Sequence, residues 1–270
     1  MSRLLTSSGL PLHEARRLLA VVLETEPASL PIDGEIGDDA AEQMAALAAR
    51  RMAGEPLQYL EGFADFGPIR IGVDSRALIP RPETEQLWEL SVIEQPSPSL
   101  AADLCTGTGA LALAIKHAVP ACRVIGTDLS SAALDRAAEN AVLTGLAVDW
   151  RLGDLYTALP DDLVGSIDLI ICNPPYVAEA EWPGLPIDVR WEPQSALKAG
   201  ATGLEMIERV VEGARHWLGP GGVIACEIGE TQSDAVAALL LRAGLEGRIE
   251  ADLTGRPRFA VARPAIGSPS

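Results

Sequence analysis

The sequence is poor in positive charge and in aromatic side chains. Its 270 residues include 21 Lys and Arg against 38 Asp and Glu, a formal net charge of −17, and only 4% are Phe, Trp or Tyr. Proteins that grip a nucleic-acid backbone do so mainly through cations. The charge therefore argues against a direct nucleic-acid partner, although a local basic groove would be compatible with it.

Long apolar runs are also missing. No run approaches the roughly 18 residues that a membrane span needs. Near the start of the chain a six-residue apolar run, residues 18–23, follows a basic pair, but acidic residues stand where a secretory signal has its cleavage site. We therefore expect no membrane association and a cytoplasmic location.

Cysteine is scarce and has no metal-binding spacing. The four cysteines are far apart, none belongs to a CxxC pair, and each lies in or beside an apolar run. This spacing predicts free thiols packed in strands, with no metal site and no redox motif. The residues concerned are Cys105, Cys122, Cys172 and Cys226.

The first part of the chain has a helical pattern. Apolar residues recur at helical spacing over 11–26 and over 38–53, so two helices should pack on each other. A Gly-Pro turn between FADF and IRIGV then predicts a β-hairpin. A proline-led helix follows from residue 81. We divide the chain into a helical domain at 1–62, a hairpin linker at 63–80 and a main domain at 81–270.

The main domain alternates strand-like and helix-like segments. Five apolar strand segments are separated by helical patterns, and two further strands close the chain without a helix between them. Apolar residues make up 48% of the chain, enough for a sizeable core. The pattern predicts an α/β fold with a doubly wound, mainly parallel seven-stranded sheet whose last strand is antiparallel.

A glycine-containing loop follows the first strand of the main domain. Gly107 and Gly109 allow a tight turn into the next helix, and Asp128 ends the second strand, where it can accept from ribose hydroxyls. The GxGxxA spacing fits NAD as well as S-adenosylmethionine. Asp103 inside the loop favours S-adenosylmethionine, because a carboxylate repels a pyrophosphate but attracts an ammonium group.

The motif Asn173-Pro174-Pro175-Tyr176 ends the fourth strand. Prolines offer no N–H, so the turn presents acceptors, and these can hold both N–H bonds of a planar amino group while Tyr176 stacks on it. Such an arrangement aims the nitrogen at a sulfonium methyl group, and catalysis is then mostly positioning. Asp154, after the third strand, could accept from an adenine amino group, with Leu155 beside the ring.

These motifs together resemble the PrmC/HemK family, the release factor glutamine methyltransferases, which use S-adenosylmethionine. The resemblance covers nearly the whole chain and is weakest over 1–55. NPPY is shared with nucleic-acid methyltransferases, whereas IPRPETE and EPQSAL are much more specific. The segments that carry it are 72–85 (GVDSRALIPRPETE), 103–109 (DLCTGTG), 173–176 (NPPY), 192–197 (EPQSAL) and 252–259 (DLTGRPRF).

The resemblance implies the fold of a class I S-adenosylmethionine-dependent methyltransferase and a substrate. That substrate is the glutamine of the Gly-Gly-Gln motif in class I peptide chain release factors, methylated on its side-chain nitrogen (N5), with S-adenosylhomocysteine as product. The N-terminal helices would help to dock the release factor, and we expect a monomer.

The resemblance also assigns roles to residues. The loop holds the methionine part, Asp128 the ribose, Asp154 and Leu155 the adenine, and the NPPY residues the glutamine amide. Cofactor-binding residues are then Asp103, Leu104, Cys105, Thr106, Gly107, Gly109, Asp128, Leu129, Asp154, Leu155 and Asn173. Catalytic and substrate-binding residues are Asn173, Pro174, Pro175 and Tyr176.

Cys105 departs from the family, which commonly has glycine there. We expect ordinary strand geometry at Cys105, with the loop turning after it, and a slight change in cofactor fit.

Four alternatives stay open at this point. A ribosomal-protein glutamine methyltransferase or a nucleic-acid amino-methyltransferase would use the same NPPY chemistry. An NAD-dependent oxidoreductase fits the glycine loop but leaves NPPY unexplained. A non-catalytic protein that retains the fold is disfavoured by the intact motifs.

Overall fold

A computed structural model describes residues 8–30 and 36–265. The N-terminal part contains helices α1 (Leu12–Val22), α2 (Asp38–Met52) and α3 (Leu57–Glu61). Both predicted helices are present, and α1 ends four residues before the predicted boundary because Glu24 adopts a left-handed conformation (φ 48°). Parts of the predicted 1–62 domain, residues 1–7 and 31–35, lie outside the described residues.

The three N-terminal helices share a small core. Leu18 and Leu19 of α1 are fully buried with Met44 of α2 and Leu57 of α3. Two ion pairs at the edge of this core, Arg17 with Glu61 and Arg51 with Glu14, join α1 to the other two helices. The apolar stripes thus pack on one another as their spacing predicted.

The predicted hairpin is formed by strands β1 (Phe63–Phe66) and β2 (Ile69–Gly72), which pair antiparallel. Its buried side chains, including Phe66 and Ile71, belong to one core with the helix and strands of the main domain. The boundaries at residues 62 and 80 stay a prediction.

The main domain contains a seven-stranded sheet. Its strands are β3 (Leu100–Leu104), β4 (Arg123–Asp128), β5 (Asp149–Leu152), β6 (Ile167–Cys172), β9 (Leu218–Glu227), β10 (Leu245–Ala251) and β11 (Pro257–Pro264). They lie in the order β10-β11-β9-β6-β3-β4-β5, and β11 alone runs opposite to the other six, so the predicted α/β doubly wound fold is confirmed. A short parallel pair, β7 (Val177–Ala178) and β8 (Lys198–Gly200), stands apart from it.

Helices cover both faces of this sheet. They are α4 (Pro82–Glu94), α5 (Ala110–Ala118), α6 (Ser131–Thr144), α7 (Glu205–Trp217) and α8 (Ser233–Arg242). Side chains of β3 point alternately to the two faces of the sheet. Ala102 and Leu104 pack in the core on the α7 and α8 side, and Ala101 packs in the core on the hairpin and α5 side. Burial on both faces explains why the strand segments are apolar without alternation.

The central strand β3 marks the point where the chain changes direction across the sheet. Its neighbours are β4 on one side and β6 on the other. Open α/β sheets bind ligands in the crevice beyond the carboxyl ends of the strands at such a point. The loops after β3, β4 and β6 meet there, and they carry most of the predicted site residues. Asp154 and Leu155 follow β5 instead.

Cys172 and Cys226 lie in β6 and β9 as direct neighbours, and Cys105 and Cys122 lie just outside strands. All four are free thiols, as predicted, but the prediction that they lie in strands is wrong for Cys105 and Cys122. Across 8–30 and 36–265, no helix is both long and apolar enough to span a membrane. In the same ranges, no group of three or more His, Cys, Asp or Glu side chains could hold a metal ion.

Candidate active site

The crevice at the carboxyl edge of the sheet is walled by five segments and by Met206 of α7. Seven of the residues predicted from the sequence line it: Cys105, Thr106, Gly107, Asp128, Leu129, Asn173 and Pro175. The remaining lining residues are Arg76, Ala77, Leu78, Pro80, Thr84, Thr108, Ala110, Leu111, Ser130, Ala133, Pro193, Ser195, Ala196 and Met206. The wall is largely apolar with a few acceptors, as in most small-molecule sites.

The glycine loop enters helix α5 through two residues with positive φ. Gly107 has φ 56° and Gly109 has φ 82°, conformations that favour glycine. A Cβ atom on Gly109 would lie 2.8 Å from the Trp150 ring, so the close packing of the loop also requires glycine there. Ala110 and Leu111 of the first turn of α5 line the crevice.

Asp103 lies behind the loop and is fully buried, as is Leu104. One carboxylate oxygen of Asp103 accepts from the Thr106 hydroxyl at 2.5 Å and from the Ala112 N–H at 3.1 Å. The other, Oδ1, is buried without a hydrogen-bond partner among the described residues. Burial raises the pKa of Asp103 to about 7, although these two hydrogen bonds act in the opposite direction.

The expectation for Cys105 was wrong. Its φ is 58°, so the chain turns at Cys105 itself and not after it. The next N–H, of Thr106, donates to the carbonyl of Thr127 in the adjacent strand end at 2.9 Å, which requires the early turn. A residue with a Cβ atom pays a steric cost in this conformation, and the Cys105 side chain offsets it by packing on the core that includes Cys172 and Cys226.

Asp128 holds the loops after β3 and β4 together. Its Oδ2 accepts from the Gly107 N–H and its Oδ1 from the Ser130 N–H, each at 2.9 Å. Burial raises the pKa of Asp128, and these backbone N–H groups counteract the shift. An ionised carboxylate has about four lone-pair positions, so it retains capacity for ligand hydroxyls. Leu129, at the rim, is 72% exposed.

Asp154 and Leu155 are not among the residues that line the crevice. The Asp154 carboxylate is partly exposed and pairs with Arg209 at 2.7 Å. Leu155 is buried in the core below, with φ 50°. Their roles at an adenine ring stay a prediction.

The NPPY turn follows β6 and is held by side-chain hydrogen bonds. Asn173 Nδ2 donates to Thr84 Oγ1 at 3.0 Å, which leaves the amide oxygen as the available acceptor. Pro175 lines the crevice and Pro174 is buried. The Tyr176 hydroxyl donates to Glu227 at 3.0 Å, and burial raises the pKa of Tyr176, so the phenol is neutral.

Sequence reasoning assigned no site role to the segments around 76–84 and 193–196, which form one wall of the crevice. Glu192 joins them: its carboxylate accepts from the Ile79 N–H at 2.8 Å and from Arg81. Burial raises the pKa of Glu192, and the Arg81 guanidinium opposes that rise. The motifs IPRPETE and EPQSAL, which carry the family resemblance, were a sequence signal for this wall. A motif alone does not show that Ile79 and Glu192, 113 positions apart, lie in contact.

The doubly wound sheet, with a crevice at its switch point and the NPPY turn beside that crevice, defines the protein as a methyltransferase of the Rossmann-like class. A family model of the methyltransferase domain matches residues 101–185, and one of the PrmC N-terminal domain matches residues 1–62.

Relatives give the particular family. The chain is 41% identical to a release factor glutamine methyltransferase of Deinococcus radiodurans over 97% of this chain and 95% of that protein. It is also 41% identical to the enzyme of that name from Cereibacter sphaeroides, over 93% and 90%. A solved methyltransferase from Pyrococcus furiosus, 18% identical, shares the fold (TM-score 0.56, covering 81% of this chain and 98% of that one). The chain belongs to the release factor glutamine methyltransferase family.

Proposed function

We propose that this protein transfers a methyl group from S-adenosylmethionine to the side-chain amide nitrogen (N5) of the glutamine in the Gly-Gly-Gln motif of class I release factors, leaving S-adenosylhomocysteine. The observation that carries the proposal is the orientation of Asn173. Because one Nδ2–H of Asn173 donates to Thr84, the nitrogen end of the amide faces Thr84 and the amide oxygen is left to accept from an –NH2 group at the crevice.

The residues of the crevice fit S-adenosylmethionine. Asp103 Oδ1, which is buried and has no partner within the described part of the chain, suits an ammonium group, and Asp128 retains lone pairs for ribose hydroxyls. The rest of the predicted cofactor set follows the loop, with Asp154 and Leu155 proposed for the adenine. When bound, the cofactor supplies an electrophilic methyl group on a positively charged sulfur.

The chain's own contribution to the reaction is positioning. An amide nitrogen is a poor nucleophile because its lone pair is delocalised, so holding its N–H bonds on acceptors orients the nitrogen for attack. No lysine or histidine is among the described residues of the crevice wall. None is needed to start the reaction, since the nitrogen becomes acidic only after it is alkylated.

The N-terminal helices are the proposed docking site for the release factor. Gly54, just after α2, lies against Ile187 and Trp191 of the loop that follows NPPY, so this helical unit adjoins the substrate side. The charge of −17 supports a protein substrate over a nucleic acid. We further propose a cytoplasmic monomer that acts on a translation termination factor.

The proposed function is tested by mass spectrometry of a purified release factor after incubation with this protein and isotope-labelled S-adenosylmethionine. We expect one labelled methyl group on the Gly-Gly-Gln peptide. The matched control is the same release factor with that glutamine replaced by alanine, which should stay unlabelled. Label on a ribosomal protein or on nucleic acid instead, with none on the release factor, would show that the substrate assignment is wrong.

A further inference from the structure

A buried carboxylate lies directly behind the NPPY turn. Glu227 ends strand β9 and is 1% exposed. Its Oε2 accepts from the Thr84 hydroxyl at 2.8 Å, and its Oε1 accepts from the Tyr176 hydroxyl at 3.0 Å. Both oxygens of one side chain are therefore occupied by residues that belong to or border the catalytic turn.

The hydrogen bonds from Asn173 to Glu227 run in one direction. A threonine hydroxyl has one hydrogen, and Thr84 donates it to Glu227. The Thr84 oxygen is then free to accept, and it accepts from Asn173 Nδ2 at 3.0 Å. A carboxylate at the end of this chain thus determines which end of the Asn173 amide faces Thr84.

This polarity matters because the two ends of an asparagine amide have nearly the same shape. Packing alone discriminates poorly between them, whereas a donor and an acceptor are not interchangeable toward a ligand. An amide turned by half a rotation would present N–H groups to the substrate –NH2 group, which offers donors of its own. The orientation is therefore decisive for binding the glutamine amide.

A cation from the last part of the chain accompanies Glu227. Burial raises the pKa of Glu227; hydrogen bonds from Thr84 and Tyr176, and the Arg258 guanidinium, act against that rise. Arg258 donates to the Ile228 carbonyl at 3.2 Å, and its Nε lies 3.9 Å from Asp252 Oδ2. Asp252 in turn accepts from the N–H groups of Thr254 and Arg256. The segment 252–259 thereby places a positive charge close to the buried carboxylate.

We propose that Glu227 is a positioning residue for methyl transfer: through Thr84 it holds the Asn173 amide oxygen toward the crevice, and it holds Tyr176 at the other end of the same turn. The role rests on the proposed function and extends it to two residues outside the NPPY motif.

Thr84→Val and Thr84→Ser form the matched pair that tests the role. Valine has nearly the same shape without the hydroxyl, whereas serine keeps the hydroxyl. We expect Thr84→Val to lower kcat toward the release factor by about tenfold or more, because a buried hydrogen-bond chain is broken. Its affinity for S-adenosylmethionine, measured by calorimetry, should stay within about twofold. Thr84→Ser should restore kcat to within about threefold of the wild type.

Glu227→Gln, alone and combined with Thr84→Val, gives the second measurement. If both residues act through one chain of hydrogen bonds, the kcat of the double variant should be no more than about threefold below that of the less active single variant. Losses that multiply would show independent, merely structural effects and would overturn the role. Thr84→Val keeps the test valid even where Glu227→Gln does not fold.

The outcomes separate this role from the proposed function. Wild-type protein that methylates no release factor glutamine contradicts the proposed function. Wild-type protein that methylates, together with a Thr84→Val variant of undiminished kcat, contradicts the role of Glu227. Equal losses in Thr84→Val and Thr84→Ser contradict it as well, since serine retains the hydroxyl.

Discussion

The side-chain amide of Asn140 pairs with the peptide group of Gly72. It accepts from the Gly72 N–H at 2.8 Å and donates to the Gly72 carbonyl at 3.0 Å, and the same nitrogen donates to the Thr108 carbonyl at 2.9 Å. One fully buried side chain on α6 thus ties the end of the hairpin to the glycine loop. The hairpin is in this way attached to the glycine-loop side of the crevice.

Asn140→Ala should lower the free energy of unfolding by about 3 kcal/mol. Three buried hydrogen bonds are lost, at about 1 kcal/mol each, and the peptide groups they satisfied are left unpaired. Urea denaturation measures the change. Val142→Ala, on the exposed side of the same helix, is the control and should change stability by less than about 0.5 kcal/mol. Equal losses of stability in the two variants would show that the hydrogen bonds of Asn140 do not stabilise the fold.

Cys105→Gly should be more stable than Cys105→Ala by about 1 kcal/mol. Both variants remove the thiol, but alanine retains the Cβ atom that is strained at φ 58° and glycine does not. The difference between the two midpoints of denaturation isolates the backbone term from the lost packing. If alanine is the more stable variant, the left-handed conformation at this position is not strained.

Asp103 should make stability depend on pH. Its pKa is about 7 in the folded protein because of burial, whereas an unfolded aspartate titrates near about 4. Between these values the folded state binds more protons, so the free energy of unfolding falls as the pH rises from about 4 to about 7 and then levels off.

Comparison with Asp103→Asn isolates this contribution, because other titrating groups, including the nearby Asp128, are present in both proteins. The stability of the wild type relative to the variant should decline across that window. Denaturation curves at steps of about one pH unit measure this difference in the free energy of unfolding. A difference that stays constant from about pH 4 to about pH 8 would mean that Asp103 is ionised throughout.

Asp128→Ala should weaken S-adenosylmethionine binding by about tenfold or more, because a carboxylate hydrogen-bonded to charged or hydroxyl partners contributes about 1.5 kcal/mol or more. The loop anchor at Gly107 is lost in the same variant. Isothermal calorimetry measures the affinity. Asp161→Ala, exposed in a turn after β5, is the control and should bind normally. Normal binding by Asp128→Ala would remove Asp128 from the cofactor site.

Asn173→Ala should lower methyl transfer to a release factor by at least about tenfold, since about 1 to 3 kcal/mol depends on a buried hydrogen bond. Cofactor affinity should fall less, because the amide acts on the substrate. A single-turnover assay with saturating cofactor measures the first quantity and calorimetry the second. Wild-type single-turnover rates in the variant would show that another group holds the glutamine amide.

Much of the fold could be predicted from residue patterns. The helix after the glycine loop was predicted, and α5 begins at Ala110 directly after Gly109, because the glycines are a local signal. The antiparallel last strand followed from two strand patterns with no helix between them. Helix α1 was predicted too long, since the turn at Glu24 depends on a conformation that periodicity does not report.

The candidate site was predictable where its residues lie in one short motif. The glycine loop, Asp128 and the NPPY turn line the crevice because each follows a strand of the same parallel sheet. The conformation of Cys105 was not predictable, because it is determined by the hydrogen bond of the next residue to β4 and by side-chain packing below.

By itself, the sequence determined the alternation of strands and helices, the residue types of the NPPY turn and the family. These depend on local periodicity and on residue types at short spacing. Tertiary structure decided which distant residues meet: Glu192 with Ile79, Asn140 with Gly72, and Glu227 with Thr84 and Tyr176. Such contacts join elements far apart in the chain, and a buried polar group finds its partner only when the packed strands and helices bring the two together.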